Sequence, residues 1–132
     1  MNQNLNHADG KKLLHSFKFA LKGIIYLLKT EQNARIHLAA TILVFLLSIT
    51  FNINHLEAAI IFIAVIMVFA MEIINTAVEK IIDFLHPDNH NVIATVKDAL
   101  AGAVLIAGTI ALVVAFLIFY PYFRDLYLML TA

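Results

Sequence analysis

Polar side chains recur at steps of three or four residues along one otherwise apolar segment. Residues at these steps share one face of an α-helix. At 1.5 Å per residue, the series covers roughly 16 Å of helix axis. The pattern therefore predicts a ladder of oxygen ligands on one helix face, made of Glu72, Asn75 with Thr76, Glu79 and Asp83.

A carboxylate inside an apolar helix, as at Glu72, needs a physical explanation. Within a membrane it costs about 2.5–3.5 kcal/mol, so such residues usually face a cavity, a partner or an ion pathway. One alternative is a polar contact between helices, for example of Glu72 with Asn75 of a neighbouring helix. Three carboxylates and an amide on one face favour a ligand site instead.

The chemistry of these groups predicts Mg²⁺ and a nucleotide. Oxygen donors without His or Cys suit Mg²⁺ that is held partly by carboxylates and partly by phosphate oxygens. Phosphoryl transfer also needs cations for the phosphates and an acceptor for the hydroxyl proton. Glu72 is the candidate base because it lies within the apolar segment. The other candidates are Glu31 and Glu79 as metal ligands, with Lys12 and Lys97 for the phosphates.

Motifs of conventional nucleotide sites are absent from the sequence, which has no Walker A loop, Rossmann glycine fingerprint or protein-kinase glycine loop. The small residues at 101–103 and Gly108 permit close approach, of helices more commonly than of a ligand. The spacings of His37, His86 and His90 do not form a His-x-x-x-His pair on a helix, so we predict surface or interfacial roles for them.

The composition is that of a membrane protein. The chain has 132 residues, of which 62% are hydrophobic and 14% charged, and its mean hydropathy is +0.89. A soluble domain of this length could not bury so much apolar surface. The formal net charge is zero, which argues against a nucleic-acid partner, and the chain contains no cysteine.

Hydrophobic periodicity predicts an all-α integral membrane protein with three transmembrane helices and an N-terminal amphipathic surface helix. The surface helix covers about 11–30, where apolar residues recur at helical steps between lysines. The predicted spans, about 36–53, 56–77 and 99–123, are long enough to cross a hydrocarbon core of about 30 Å.

The connections between these helices set the topology. Residues 52–55 form a tight polar turn, so the first two spans are antiparallel. The segment 79–98 is rich in charge and must reach water, with Pro87 ending an extended second helix. Lys and Arg cluster before the first span, which places the amino terminus and 79–98 in the cytoplasm and the carboxyl terminus outside. Residues 1–10 are predicted to be disordered, and residues 11–132 to form one membrane domain.

Three longer motifs carry a further signal. They are Glu31-x-Asn33-x-Arg35-Ile36-His37, Glu72-x-x-Asn75-Thr76-Ala77-x-Glu79-x-x-x-Asp83, and Lys97-Asp98-x-x-Ala101-Gly102-Ala103-Val104. With them the chain resembles the prokaryotic diacylglycerol kinase family, which includes undecaprenol kinases. The resemblance covers about residues 12–120.

The resemblance implies a lipid kinase that transfers the γ-phosphate of ATP to the hydroxyl of diacylglycerol or undecaprenol, with Mg²⁺ as cofactor. It also implies a homotrimer in the bacterial cytoplasmic membrane, with active sites shared between neighbouring subunits. By the same likeness Glu31 and Glu79 match metal-binding acids, and Glu72 matches the base. The residues assigned to the nucleotide are Lys12, Glu31, Asn75, Glu79, Asp83, Lys97 and Asp98, and those assigned to the lipid are Glu72, Asn75, Ala101 and Gly102.

Two other functions stay open at the level of the residues. One is a noncatalytic assembly protein whose polar residues hold helices together. The other is an ion-coupled transporter with Glu72 as proton relay. Within the resembling family, the sequence at 35–37 is closer to the undecaprenol branch. The absence of Trp, with Lys12 and Ala20 where the best-known diacylglycerol kinases have Arg and Ser, leaves the lipid acceptor open.

Overall fold

Four α-helices make up the described part of the chain. The computed structural model describes residues 3–86 and 91–132, with the side chains of all of these except residues 3–9 and 11. In chain order the helices are α1 (Gln3–Thr30), α2 (Gln32–Thr50), α3 (His55–Leu85) and α4 (Asn91–Thr131), and these residues include no strand. The all-α class predicted from the sequence is confirmed.

Helices α2, α3 and α4 are each long and apolar enough to cross a membrane, and they are the three such helices in the described ranges. They overlap the predicted spans, but α3 and α4 are longer, with 31 and 41 residues. Residues 79–85 and 91–98 continue these helices, because polar side chains suit a solvated helix as well as a loop. The charged residues of 79–85 and 91–98 suit the parts of α3 and α4 that extend beyond the apolar spans. Helix α3 ends at Leu85, and Pro87 lies outside the described residues.

The turn between α2 and α3 makes these two helices antiparallel. Asn52 has a positive φ of 49°, a left-handed conformation that asparagine adopts more readily than most residues. Asn54 caps α3, because its Oδ1 accepts hydrogen bonds from the backbone N–H groups of Leu56 and Glu57 at 2.9 and 3.0 Å. The Glu57 carboxylate accepts a bond of 2.9 Å from the N–H of Asn54 in return. This reciprocal capping begins α3 immediately after the turn.

Aromatic rings join α4 to this turn, at what we call the hairpin end, the end of the bundle that holds Phe51. The centroid of the Phe51 ring lies 6.2 Å from that of Phe119, 5.6 Å from that of Tyr122 and 4.9 Å from that of Phe123. The Tyr122 hydroxyl donates a hydrogen bond of 2.7 Å to Oε2 of Glu57. These contacts fix the register of α4 against the start of α3.

Small and branched side chains hold the middle of α3 and α4 together. Ile61, Ala64 and Val68 on α3 are buried, as are Val104 and Ala107 on α4. In lipid, close packing of small residues drives helix association, since the surroundings are as apolar as the side chains. This packing sets the direction of the α3 face that carries the predicted ladder.

Helix α1 keeps most of its described apolar side chains exposed. Leu27 is buried, whereas Leu13, Leu14 and Phe17 are exposed. The helix begins at Gln3, so helical backbone reaches into the segment predicted to be disordered. The location of α1 on a membrane surface stays a prediction.

Replacing Phe51 with Ala tests the aromatic contacts of the hairpin end. Each aromatic pair contributes about 0.5–1.5 kcal/mol, so we expect Phe51→Ala to lower the free energy of unfolding by about 1–3 kcal/mol. The measurement is SDS titration of the protein in mixed micelles. Phe45→Ala is the matched control, since Phe45 lies exposed on α2, the helix that ends directly before Phe51, and should cost less than about 0.5 kcal/mol. Equal losses in the two variants would contradict a packing role for Phe51.

Candidate functional site

A cavity of about 540 Å³ lies between α2, α3 and α4. Its acidic side chains gather at what we call the carboxylate end, the end of the bundle that holds Glu31 and Glu79. Towards the hairpin end the lining is apolar and includes Val44, Ile61 and Leu112. The cavity therefore joins a polar region to an apolar one.

The cavity is open at the side, between α2 and α4. Ile36 of α2 and Leu105 and Leu112 of α4 line it, and all three are also exposed on the outside of the bundle. In a membrane, exposed apolar side chains face lipid or the apolar surface of another helix. The apolar lining is therefore continuous with the apolar outer surface of the bundle on this side.

Helix α3 places the predicted ladder along the cavity. Glu72, Asn75 and Glu79 line it at steps of three and four residues, and this spacing keeps them on one helix face. Asp83, the next predicted member, does not line the cavity. Its carboxylate instead forms an ion pair with Lys97 of α4.

Glu72 is a buried carboxylate without a complete set of partners. Its side chain is almost fully buried, with a residue exposure of 2%, and Asn75 is 8% exposed. Glu72 Oε2 and Asn75 Oδ1 have no hydrogen-bond partner among the described residues. Leaving a buried polar atom unpaired costs about 1–3 kcal/mol, and more for a charged group. Because both residues line the cavity, a polar ligand there would satisfy them.

Glu31 reaches the cavity from the start of α2. It occupies the N-cap position of that helix, yet its side chain makes no capping hydrogen bond. Its Oε1 lies 3.4 Å from Nζ of Lys80 on α3. Glu31 and Glu79 lie within electrostatic range of Glu72, and the three carboxylates line the same cavity.

The structure brings one part of the predicted site together and leaves the other part apart. The predicted residues that line the cavity are Glu31, Glu72, Asn75, Glu79 and Ala101. The predicted residues that do not line it are Lys12, Asp83, Lys97, Asp98 and Gly102. Their individual roles stay predictions.

His37 and Asn33 line the cavity although neither was among the predicted site residues. His37 is half-buried and acts electrostatically on Glu72, whereas we predicted a surface or interfacial role. A spacing signal was available, since Asn33, His37 and Thr41 follow one another at four-residue steps on α2. The spacing alone does not say which face of α2 meets α3.

The donor set at the carboxylate end fits Mg²⁺ better than a metal held by protein groups alone. No group of three or more His, Cys, Asp or Glu that could hold a metal ion occurs within 3–86 and 91–132. Mg²⁺ needs only one or two carboxylates when phosphate oxygens and water complete its coordination shell. Glu31 and Glu79 supply such carboxylates, and the unpartnered Glu72 oxygen lines the same cavity.

Similar sequences occur among proteins named as kinases. The profile of the prokaryotic diacylglycerol kinase family matches residues 18–119. An undecaprenol kinase of Bacillus subtilis (strain 168) is 33% identical over 110 residues, which cover 83% of this chain and 89% of that protein. A diacylglycerol kinase of Synechocystis sp. (strain ATCC 27184 / PCC 6803 / Kazusa) is 31% identical over 103 residues, which cover 77% of this chain.

The aligned part spans 59% of the Synechocystis protein, which therefore has a large portion without a counterpart in this alignment. No solved structure matches the chain. The range matched by the family profile contains every residue that lines the cavity. The likeness to the family therefore includes the candidate site.

Two carboxylates of α3 differ in their hydrogen bonding, and replacing each with Met tests the difference. We expect Glu72→Met to raise the free energy of unfolding by about 1–3 kcal/mol, because it removes a buried oxygen that lacks a partner. Glu57→Met is the matched control and should lower that free energy, since Glu57 accepts hydrogen bonds from Tyr122 and Asn54. SDS titration in mixed micelles measures both. A loss of stability in Glu72→Met would show that the carboxylate is already satisfied.

Proposed function

The chain belongs to the prokaryotic diacylglycerol kinase family and is an integral membrane lipid kinase, and we propose that it transfers the γ-phosphate of ATP to the hydroxyl group of its lipid. The observation that carries this proposal is the buried Glu72 carboxylate, whose Oε2 lacks a partner among the described residues. Glu72 lies where the polar and apolar parts of the cavity meet. A proton acceptor at that level suits an alcohol whose hydrocarbon chain stays in the bilayer.

The apolar part of the cavity suits the hydrocarbon chain of the lipid. Between Ile61 and Glu72, helix α3 extends roughly 16 Å along its axis, and its other residues that line this part are Ala64, Val65 and Val68. A lipid that entered through the side opening would place its chain along this stretch and its hydroxyl at Glu72. Ala101 lines the cavity on α4, and we assign it with Gly102 to contact with the lipid.

Glu72 accepts the proton of the lipid hydroxyl in the proposed reaction. The hydroxyl oxygen bonds to the γ-phosphorus while the bond from that phosphorus to the bridging oxygen of ADP breaks. The proton passes to the Glu72 carboxylate and from there to water. Asn75 lies close to one helical turn from Glu72 and lines the same cavity, so its amide is placed to orient the hydroxyl.

Glu31 and Glu79 would hold Mg²⁺ at the carboxylate end. When bound, Mg²⁺ neutralises charge on the β- and γ-phosphates and so favours transfer. The other residues that we assign to the nucleotide are Lys12, Asn75, Asp83, Lys97 and Asp98. Of these, Lys97 and Asp83 are already paired with each other across α3 and α4, so the nucleotide would meet a preformed pair of charges.

We propose undecaprenol as the first acceptor to test and diacylglycerol as the second. The relative named undecaprenol kinase is matched over 89% of its length, whereas the relative named diacylglycerol kinase is matched over 59%. Both lipids carry a hydroxyl group at the polar end of a molecule that is otherwise mostly hydrocarbon. Glu72 would meet that hydroxyl in the same way in either lipid.

We propose that the amino terminus lies in the cytoplasm and the carboxyl terminus outside. Of the nine Lys and Arg residues, six precede the first predicted span, and basic residues favour the cytoplasmic side. In this orientation the carboxylate end of the cavity faces the compartment that holds ATP. The lysines of α1 then meet the head groups of the inner leaflet.

Phosphoryl transfer to purified lipids tests the proposed function. The protein in mixed micelles receives γ-labelled ATP, Mg²⁺ and either undecaprenol or diacylglycerol, and we expect label in one of these lipids. Glu72→Gln should lower kcat by about 100-fold or more, because it removes the proton acceptor. Glu79→Gln should abolish most of the Mg²⁺-dependent transfer. Glu57→Gln, a carboxylate of the same helix that does not line the cavity, is the control and should keep most of the activity.

The outcomes distinguish a lipid kinase from a noncatalytic assembly protein, and they test the role of Glu72 separately. Transfer to neither lipid by folded wild-type protein would overturn the proposal and favour a noncatalytic assembly role. Transfer by Glu72→Gln at the wild-type rate would leave the kinase in place but remove Glu72 as the base.

We propose that the chain forms a homotrimer whose active sites are shared between subunits. Lys12 and Asp98 do not line the cavity of their own chain, so a neighbouring subunit is the proposed source of these groups. Lys12→Ala and Glu79→Gln should each be nearly inactive alone. Reconstituting the two variants together should restore activity, because some sites then combine intact residues from both chains. A mixture as inactive as its components would contradict sharing.

A further inference from the structure

An ion pair joins α2 and α3 at the carboxylate end. Nζ of Lys80 lies 3.4 Å from Oε1 of Glu31, and the two side chains are 51% and 25% exposed. Glu31 lines the cavity, whereas Lys80 does not. The ammonium group of Lys80 therefore approaches the Glu31 carboxylate from outside the cavity.

This pair is the contact that holds the Glu31 side chain. The carboxylate makes no capping hydrogen bond to the start of α2, and Lys80 is its one ion-pair partner among the described residues. Without Lys80, Glu31 would lose its one described ion-pair partner and would still lie near the carboxylates of Glu72 and Glu79, and like charges repel. Lys80 therefore both orients Glu31 and offsets its charge.

A divalent cation can replace Lys80 as the partner of Glu31. An ion pair between exposed side chains is weak, because water screens it and two long side chains must be ordered. A divalent cation carries twice the charge of an ammonium group and contacts carboxylate oxygens more closely. Such a cation, held also by phosphate oxygens, displaces Lys80 from Glu31 at little cost.

We propose that Lys80 is a positioning residue that holds the Glu31 carboxylate in place and then yields it to a divalent cation. This inference rests on the proposed function, since the cation is the Mg²⁺ assigned there to Glu31 and Glu79. Lys80 competes with the cation for one carboxylate. Lys80 therefore raises the apparent Kd of the site for the divalent cation.

The charges around Glu31 determine the sign of the effect. Glu72 and Glu79 of α3 act with Glu31 at this end, and the nearby Lys97 is paired with Asp83. Removing Lys80 leaves the carboxylates with less positive charge to offset them. The affinity for a divalent cation should therefore rise when Lys80 is replaced by a neutral residue.

Binding of Mn²⁺ together with a non-hydrolysable ATP analogue to the full-length protein in micelles tests this inference, with a protein-free solution of the same analogue as the reference. Mn²⁺ prefers oxygen ligands as Mg²⁺ does, and electron paramagnetic resonance counts the free ion. We expect Lys80→Gln to lower the Kd for Mn²⁺ by roughly 3- to 10-fold, from loss of one positive charge near the site. Lys80→Arg should stay close to wild type. Lys18→Gln removes the same charge from α1, at an exposed side chain, and should leave the Kd unchanged.

A double variant shows whether the effect passes through Glu31. In a Glu31→Gln background, adding Lys80→Gln should no longer tighten Mn²⁺ binding, because the contested carboxylate is gone. The same tightening in both backgrounds, or no tightening in Lys80→Gln, would overturn the proposal. Failure of both wild type and Lys80→Gln to bind Mn²⁺ would also overturn it. The lipid assay judges the kinase separately, since transfer by the wild-type protein does not depend on any outcome at Lys80.

Discussion

The organising constraint of this structure is a carboxylate that an apolar helix carries into the interior of the bundle. Glu72 is almost fully buried, and one of its oxygens has no partner among the described residues. Such a group raises the free energy of the folded protein, because water no longer solvates it and no protein group replaces the water. Buried polar atoms without a partner are uncommon in folded proteins and often lie at functional sites.

Polar contacts that do not involve Glu72 join the helices at both ends of the bundle. At the hairpin end, Glu57 accepts hydrogen bonds from Tyr122 and Asn54 and so ties α3 to α4 and to the turn. At the carboxylate end, two ion pairs join α3 to α2 and to α4. Neither Glu72 nor Asn75 takes part in these contacts between helices. This arrangement weakens the alternative of a noncatalytic protein whose buried polar residues serve as interhelical contacts.

Local spacing was enough to predict the helices and the acidic face of α3. Glu72, Asn75 and Glu79 share a helix face whatever the rest of the chain does, because the period of an α-helix is a local property. An extension of α3 towards Pro87 was predicted from the sequence, and α3 does continue to Leu85. The extension of α4 through 91–98 was less visible, since charged residues signal water and not the end of a helix.

Tertiary packing decided the remainder of the site. His37 and Asn33 line the cavity because one particular face of α2 turns towards α3, and no local pattern specifies that rotation. The partner of Glu31 was equally hidden, since Lys80 lies far from it in sequence and meets it through the hairpin. Asp83 shows the converse, because its spacing grouped it with the ladder, whereas it lies outside the cavity and pairs with Lys97.

The lateral opening between α2 and α4 has a kinetic meaning. A reactant that reaches the cavity through exposed Ile36, Leu105 and Leu112 travels by diffusion in two dimensions. The quantity that governs its encounter with the protein is then its mole fraction in the membrane, not its amount per volume of solution. Diluting the bilayer with inert lipid would slow turnover even at constant total substrate, and the phosphorylated product would leave sideways into the same leaflet.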